Sequence, residues 1–90
     1  MPLYVKIFHS TAAPSAFENV MPDMMAYLAQ LKGTGKLKSS GPFGDFSGGL
    51  DIYEADNLDE AKKIAEEDPL VSNQLGTYEL KEWSDMLDQI

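Results

Sequence analysis

Apolar and polar residues alternate through "LYVKIFH", residues 3–9, with Leu3, Val5, Ile7 and His9 on one face and Tyr4, Lys6 and Phe8 on the other. A period of two predicts a strand. The period then changes. Met21, Met24, Met25, Leu28 and Leu31 recur at helical spacing and predict a helix over 22–32. Pro22 suits its first position, Asp23 its first turn, and Gly33 its stop. The intervening "STAAPSAFEN" has small residues and a proline and reads as a loop. "GKLKSSG" predicts a short second strand, and "GLDIYEA" a third, with Leu50 and Ile52 on one face and Asp51 and Tyr53 on the other. "NLDE" opens a second helix: Asn57 is its cap, Glu60 stands at capping-box distance, and Leu58, Ala61, Ile64 and Ala65 form its apolar stripe. "DPLVSNQLG" reads as a further short helical turn ended by Gly76, "TYELKEW" as the fourth strand, and "SDMLDQI" as a tail.

The order β-α-β-β-α-β is the ferredoxin-like plan, an α+β fold whose helices lie on one face of an antiparallel sheet. We expect a single domain over residues 1–90, with its core at about 3–83 and a tail at 84–90. The row Leu3, Val5, Ile7, Leu50, Ile52, Tyr78 and Leu80 suits the helix-covered face. The opposite row, Tyr4, Lys6, Phe8, Asp51, Tyr53, Glu79, Lys81 and Trp83, mixes aromatic side chains with charges. A merely solvated face would be uniformly polar, so this row is expected to be covered by a second copy of the sheet, in a homodimeric α+β barrel.

Composition narrows the chemistry. The formal charge is −8, and all seven cationic residues are lysines. A protein that neutralises phosphates needs a basic face, so nucleic acid is not an expected partner. Without arginine the usual bidentate clamp for phosphate or carboxylate is missing. The chain has no cysteine and one histidine, His9, which excludes thiolate metal sites, multi-histidine metal sites and cysteine catalysis. No stretch approaches the roughly 20 apolar residues of a membrane span, and the expectation is a soluble, cytoplasmic protein without membrane association. No metal or cofactor motif is present, and none is expected.

"SSGPFGDFSGGLDIYEAD", residues 39–56, raises the question of a ligand cradle. It lacks the lysine and hydroxyl of a phosphate loop, and no helix follows it directly. Its glycines are first of all turn chemistry between the second and third strands. The run is nevertheless longer than a tight hairpin needs, and loops of this kind often line pockets. Asp68 follows "AEE" at a helix end, where the helix dipole disfavours an anion. Its place before Pro69 makes it the N-cap of a new helical turn, and a chemical role is the alternative. His9, whose unperturbed pKa lies near neutrality, is a candidate general base or a strand-end histidine bonded into the loop. The methionines of the first helix are core residues or a soft pocket wall.

"GKL…SGPF", "GGLDIYEAD", "LDEAKKIAEEDP" and "TYELKEW" together resemble the YciI-like (YCII-related) family over roughly residues 22–83. The resemblance implies a dimeric α+β barrel distantly similar to muconolactone isomerases. It also implies an active site built from a histidine on the first helix and the aspartate of "DP". That aspartate stands here as Asp68, and the position of the helical histidine falls at about Met24. Ser40, Gly41, Pro42 and Phe43 would border the cleft, with Met24 and Tyr53 as further lining. Two functions follow as expectations. One is a small cofactor-independent enzyme performing acid/base chemistry, of isomerisation or elimination type, on a small organic molecule through Asp68 or His9. The other is a non-catalytic module binding a small ligand or a partner protein.

Overall fold

The computed structural model describes residues 2–90. The four strands are β1 (Leu3–Ser10), β2 (Leu37–Pro42), β3 (Gly48–Glu54) and β4 (Gly76–Trp83), and they form one antiparallel sheet in the order β2-β3-β1-β4. The helices are α1 (Pro14–Glu18), α2 (Met21–Thr34), α3 (Leu58–Glu67) and α4 (Pro69–Ser72), and a 3-10 turn closes the chain at Met86–Gln89. This is the ferredoxin-like arrangement with one addition. "PSAFE" forms α1 instead of a loop, because Pro14 stands in its first turn, where the missing N–H costs nothing. Among the described residues no helix is long and apolar enough to cross a membrane.

α2 runs two residues past its expected end. Gly33 lies inside the helix, and Gly35 caps it in the left-handed region at φ 78, which a glycine enters without steric cost. Asn57 caps α3 as expected, its side chain accepting the Glu60 N–H at 2.9 Å. The Glu60 carboxylate accepts from the Asp56 N–H and the Lys36 ammonium, so the capping box is not closed in its reciprocal form.

On β1 and β3 the two faces are the reverse of the expectation, whereas β4 keeps the expected faces, with Tyr78 and Leu80 toward the helices and Trp83 away from them. Register pairs Lys6 with Asp51 on one side and with Leu80 on the other, and Phe8 with Tyr78. Tyr4, Lys6, Phe8, Asp51 and Tyr53 therefore lie under the helices, and all are buried. Tyr78 and Leu80 belong to this face as well, packing on the core. Leu3, Val5, Ile7, Leu50 and Ile52 occupy the open face, partly exposed, and Trp83 lies with them at 40% exposure. The physical reason for the reversal is that the aromatic row does two jobs. Its rings pack against Val20, Ile64, Ala65 and Leu75, while its charged members pair with one another and need no water.

Two glycines let the strands flanking β1 approach its end. A Cβ at Gly48 would strike the Phe8 carbonyl, and one at Gly76 would strike the His9 carbonyl and the Phe8 ring. Gly76→Ala should therefore destabilise the protein by about 2 kcal/mol or more, the scale of overpacking against an immovable backbone. Gly33→Ala, in a helix interior with open space around the new methyl, should stabilise by about 0.5–1 kcal/mol. Urea titration of both variants distinguishes them, and equal midpoints would contradict this account of the β1 edge.

Candidate functional site

A cavity of about 640 Å³ opens between α2, α1, the β2–β3 connection and the helix-covered face of the sheet. That size falls within the roughly 300–1,000 Å³ of small-molecule sites. Its floor is Lys6, Asp51 and Asp68, with Ser40 at the side. Its walls are apolar: Met21, Met24 and Met25 from α2, Phe8 from β1, Phe17 from α1 and Phe46 from the connection.

Each floor residue is placed by a local rule. Alternation in β1 puts Lys6 between Tyr4 and Phe8 in the covered row, where it is 1% exposed. Antiparallel register sets Asp51 opposite it, at 2.9 Å between Nζ and Oδ2. Asp68 is both the last residue of α3's C-terminal turn and the N-cap of α4, its Oδ1 accepting the Leu70 N–H at 2.8 Å. The second oxygen, Oδ2, accepts from the Lys6 ammonium. The expected capping role is thus present together with a buried ion pair, and neither excludes the other.

The cluster extends sideways. Ser40 Oγ donates to Asp51 Oδ1 at 2.5 Å, and the Tyr53 hydroxyl donates to Asp51 Oδ2 at 3.2 Å. Burial, reinforced by the neighbouring Asp51 charge, pushes the Tyr53 hydroxyl far above the ordinary tyrosine range. Burial does the same to Tyr27, which donates to the Ile64 carbonyl at 2.6 Å. Both phenols therefore remain proton donors. Among the described residues, no buried side-chain nitrogen or oxygen lacks a hydrogen-bond partner, so the floor is a closed network.

Of the residues singled out in the sequence, Asp68, Ser40, Gly41, Pro42 and Met24 line this cavity. Tyr53 lies behind the floor and reaches it through Asp51. Phe43 does not line the cavity; its N–H is turned back onto the Gly48 carbonyl, and Phe46, three residues on, stands at the mouth instead. Phe46 has a backbone φ of 59 and is 80% exposed. His9 is separated from the cavity. Alternation turns it to the open face, where Nε2 meets Glu79 Oε2 at 2.9 Å and both side chains are half exposed. Lys6 and Asp51 are the floor residues that sequence reasoning missed. The available signal was a lysine at the centre of a strand, flanked in its own row by two aromatic residues. No group of three or more His, Cys, Asp or Glu side chains among the described residues could hold a metal ion.

The model of the YCII-related domain matches residues 3–84, nearly the whole chain. The chain belongs to the YCII-related domain family. A second YCII-related sequence, the uncharacterized protein YjpA of Bacillus subtilis (strain 168), is 42% identical over 57 residues, covering 63% of this chain and 67% of its own. Among solved structures, 5-chloro-2-hydroxyhydroquinone dehydrochlorinase (TftG) from Burkholderia phenoliruptrix AC1100, in complex with 2,5-dihydroxybenzoquinone, superposes with a TM-score of 0.77. It is 23% identical, with 91% of this chain and 93% of TftG covered, a likeness that shows a shared fold. In this YCII-related protein Met24, where the resemblance implies a histidine, is buried and part of the cavity wall.

Removing one partner from a buried ion pair leaves an uncompensated charge, at about 3–5 kcal/mol. Lys6→Met should reach that scale, because it leaves two carboxyl groups facing each other without their cation. Asp68→Asn should cost clearly less. Asparagine caps about as well as aspartate, and Lys6 keeps Asp51. Chemical denaturation at neutral pH orders the two variants. An Asn variant as unstable as the Met variant would contradict this division of roles.

Proposed function

We propose that this protein is a small enzyme performing proton-transfer chemistry, of isomerisation or elimination type, on a small organic molecule held in the cavity. The observation that carries the reading is a fully buried lysine bridged between two aspartates at the floor of an otherwise apolar cavity. A substrate with a carbonyl group fits this arrangement. Asp68 Oδ2 takes a proton from the carbon beside the carbonyl. The electron pair of the broken C–H bond moves toward the carbonyl oxygen, and the Lys6 ammonium stabilises the negative charge developing there. Returning the proton to a different carbon completes an isomerisation with no co-reactant. If an anion departs from the neighbouring carbon instead, the outcome is an elimination. The Leu70 N–H holds Asp68 Oδ1 in place, and Oδ2, beside the Lys6 ammonium, is assigned the proton transfer through its remaining lone pair. TftG, a dehydrochlorinase on the same fold, supports small-molecule chemistry for this architecture.

A second reading, a binding module without turnover, is favoured by one observation. Both oxygens of both floor carboxylates already have a partner within the protein. Ligand-induced hydrogen–deuterium exchange separates the two. With a ligand found by thermal shift, the enzyme reading expects exchange of the C–H beside its carbonyl in deuterated water. Asp68→Asn should stay folded and lose that exchange by about 10²–10⁴-fold, the scale of acid/base catalysis. Binding without exchange, or an Asn variant that exchanges as fast as wild type, would favour the module.

We further propose that the protein works as a homodimer joined through the open sheet face. The covering surface is the aliphatic row Leu3, Val5, Ile7, Leu50 and Ile52 with Trp83, not the aromatic row beneath the helices. A contiguous exposed apolar face of this kind marks an interaction surface. Light scattering at micromolar concentration should report a dimer, and Ile52→Glu, which sets a charge at the centre of that face, should shift it toward monomer. A wild type that is monomeric and equally soluble would sink the proposal.

A further inference from the structure

The charge balance of the floor bears on which molecules can enter. Resting on the cavity being a ligand site, we propose that it takes an uncharged, hydroxyl-bearing ring compound and rejects carboxylates and other anions. Lys6 is the only cationic side chain among the cavity's lining residues, and its ammonium is already held by Asp51 and Asp68. One ammonium faces two carboxylates, so acidic groups outnumber basic ones at the floor. An incoming carboxylate would bring a full negative charge, desolvated, against two acids, with only the Lys6 ammonium that they already share to meet it. Lys36 and Lys38 are bound to Glu60 and Glu54, and no described lysine besides Lys6 lines the cavity. The Leu70 N–H is taken by the Asp68 carboxylate itself.

What the floor does offer is acceptors and one exchangeable hydroxyl. Asp51 and Asp68 can each receive a hydrogen bond from a ligand O–H, and Ser40 can donate to or accept from the same group. An aromatic or quinonoid ring suits the walls. Methionine sulfur packs favourably against ring edges, and Phe8, Phe17 and Phe46 supply faces and edges for offset stacking. The ring thus lies between α2 and the β2–β3 connection with its hydroxyl directed to the floor.

The test uses the whole protein labelled with ¹³C at the methionine methyl groups, because Met21, Met24 and Met25 line the cavity whereas Met86 does not. The probes are 2-naphthol, 2-naphthoate and 2-naphthylmethylamine, which share a ring system and differ in the charge of a single group. We expect 2-naphthol to shift the three cavity methyls and leave Met86 unmoved, with an affinity at least about tenfold above that of 2-naphthoate. Asp51→Asn, which removes one floor charge, should narrow or reverse that ratio. Equal or tighter binding of 2-naphthoate to the wild type would overturn the inference while leaving the cavity a ligand site. So would tighter binding of the amine, which would mean that the floor selects cations. A folded Asp51→Asn variant with an unchanged ratio would overturn the charge explanation. Should that variant not fold, the wild-type ratio decides alone. No methyl shift with any probe would overturn both this inference and the reading on which it rests.

Discussion

The ion pairs of Lys6 hold the sheet to its helical cover. A lysine ammonium cannot be buried alone, because the cost of losing its hydration far exceeds what packing returns. Its two partners come from different layers. Asp51 is its neighbour across the β1–β3 ladder, and Asp68 is the hinge between α3 and α4. The register of the central strands and the position of the α3–α4 bend must therefore agree, to within the length of a hydrogen bond, before the charge is satisfied. A one-residue slip of β3 would turn Asp51 to the open face and bring Ile52 or Leu50 beneath the helices. Polar pairing specifies the register more sharply here than hydrophobicity does, since both rows of β1 contain apolar side chains.

Much of the architecture was legible in the chain. The strand alternation, the Asn57 cap and the second cap at Asp68 each rest on rules that act over a few residues, and each element lies close to where those rules put it. The assignment of faces was not legible in the same way. Counting apolar residues favours the row of Leu3, Val5 and Ile7 for the core, yet Tyr4, Lys6 and Phe8 are the buried ones. The deciding facts are long-range: Asp51 and Asp68 lie far from Lys6 in the chain, and only the folded sheet brings the three together. α1 was missed because alanine and serine carry no periodic signal, although Pro14 marked a helix start. Of the candidate site, Asp68 could be found from its proline and its misplaced charge. Lys6 carried a signal of its own, a lysine between two aromatic residues in one strand row, but its pairing with Asp68 could not be found without knowing the register. His9 attracted notice by its chemistry alone, and the same alternation that defines β1 carries it to the other face.

The site also departs from what the family resemblance implies. With Met24 in place of a helical histidine, the polar chemistry of the cavity comes from the sheet and the α3–α4 bend, while α2 contributes only apolar wall. The lysine stands on the central strand β1, whose backbone is hydrogen-bonded on both sides by β3 and β4. The floor is thus preorganised by the most regular part of the molecule.

The mouth is built differently. Residues 43–47 form a reversal fastened at its base by the Phe43 N–H to Gly48, the Phe46 N–H to Phe43 and the Asp45 carboxylate to the Ser47 N–H, with the Phe46 ring projecting from it. None of these bonds touches Lys6, Asp51 or Asp68. Changes in the length or bulk of this reversal can therefore alter what passes the entrance without disturbing the charges below. On the proposed reading, the size of the accepted guest and the chemistry applied to it can diversify along separate evolutionary paths, the first through a handful of loop residues and the second only through coordinated change across two layers.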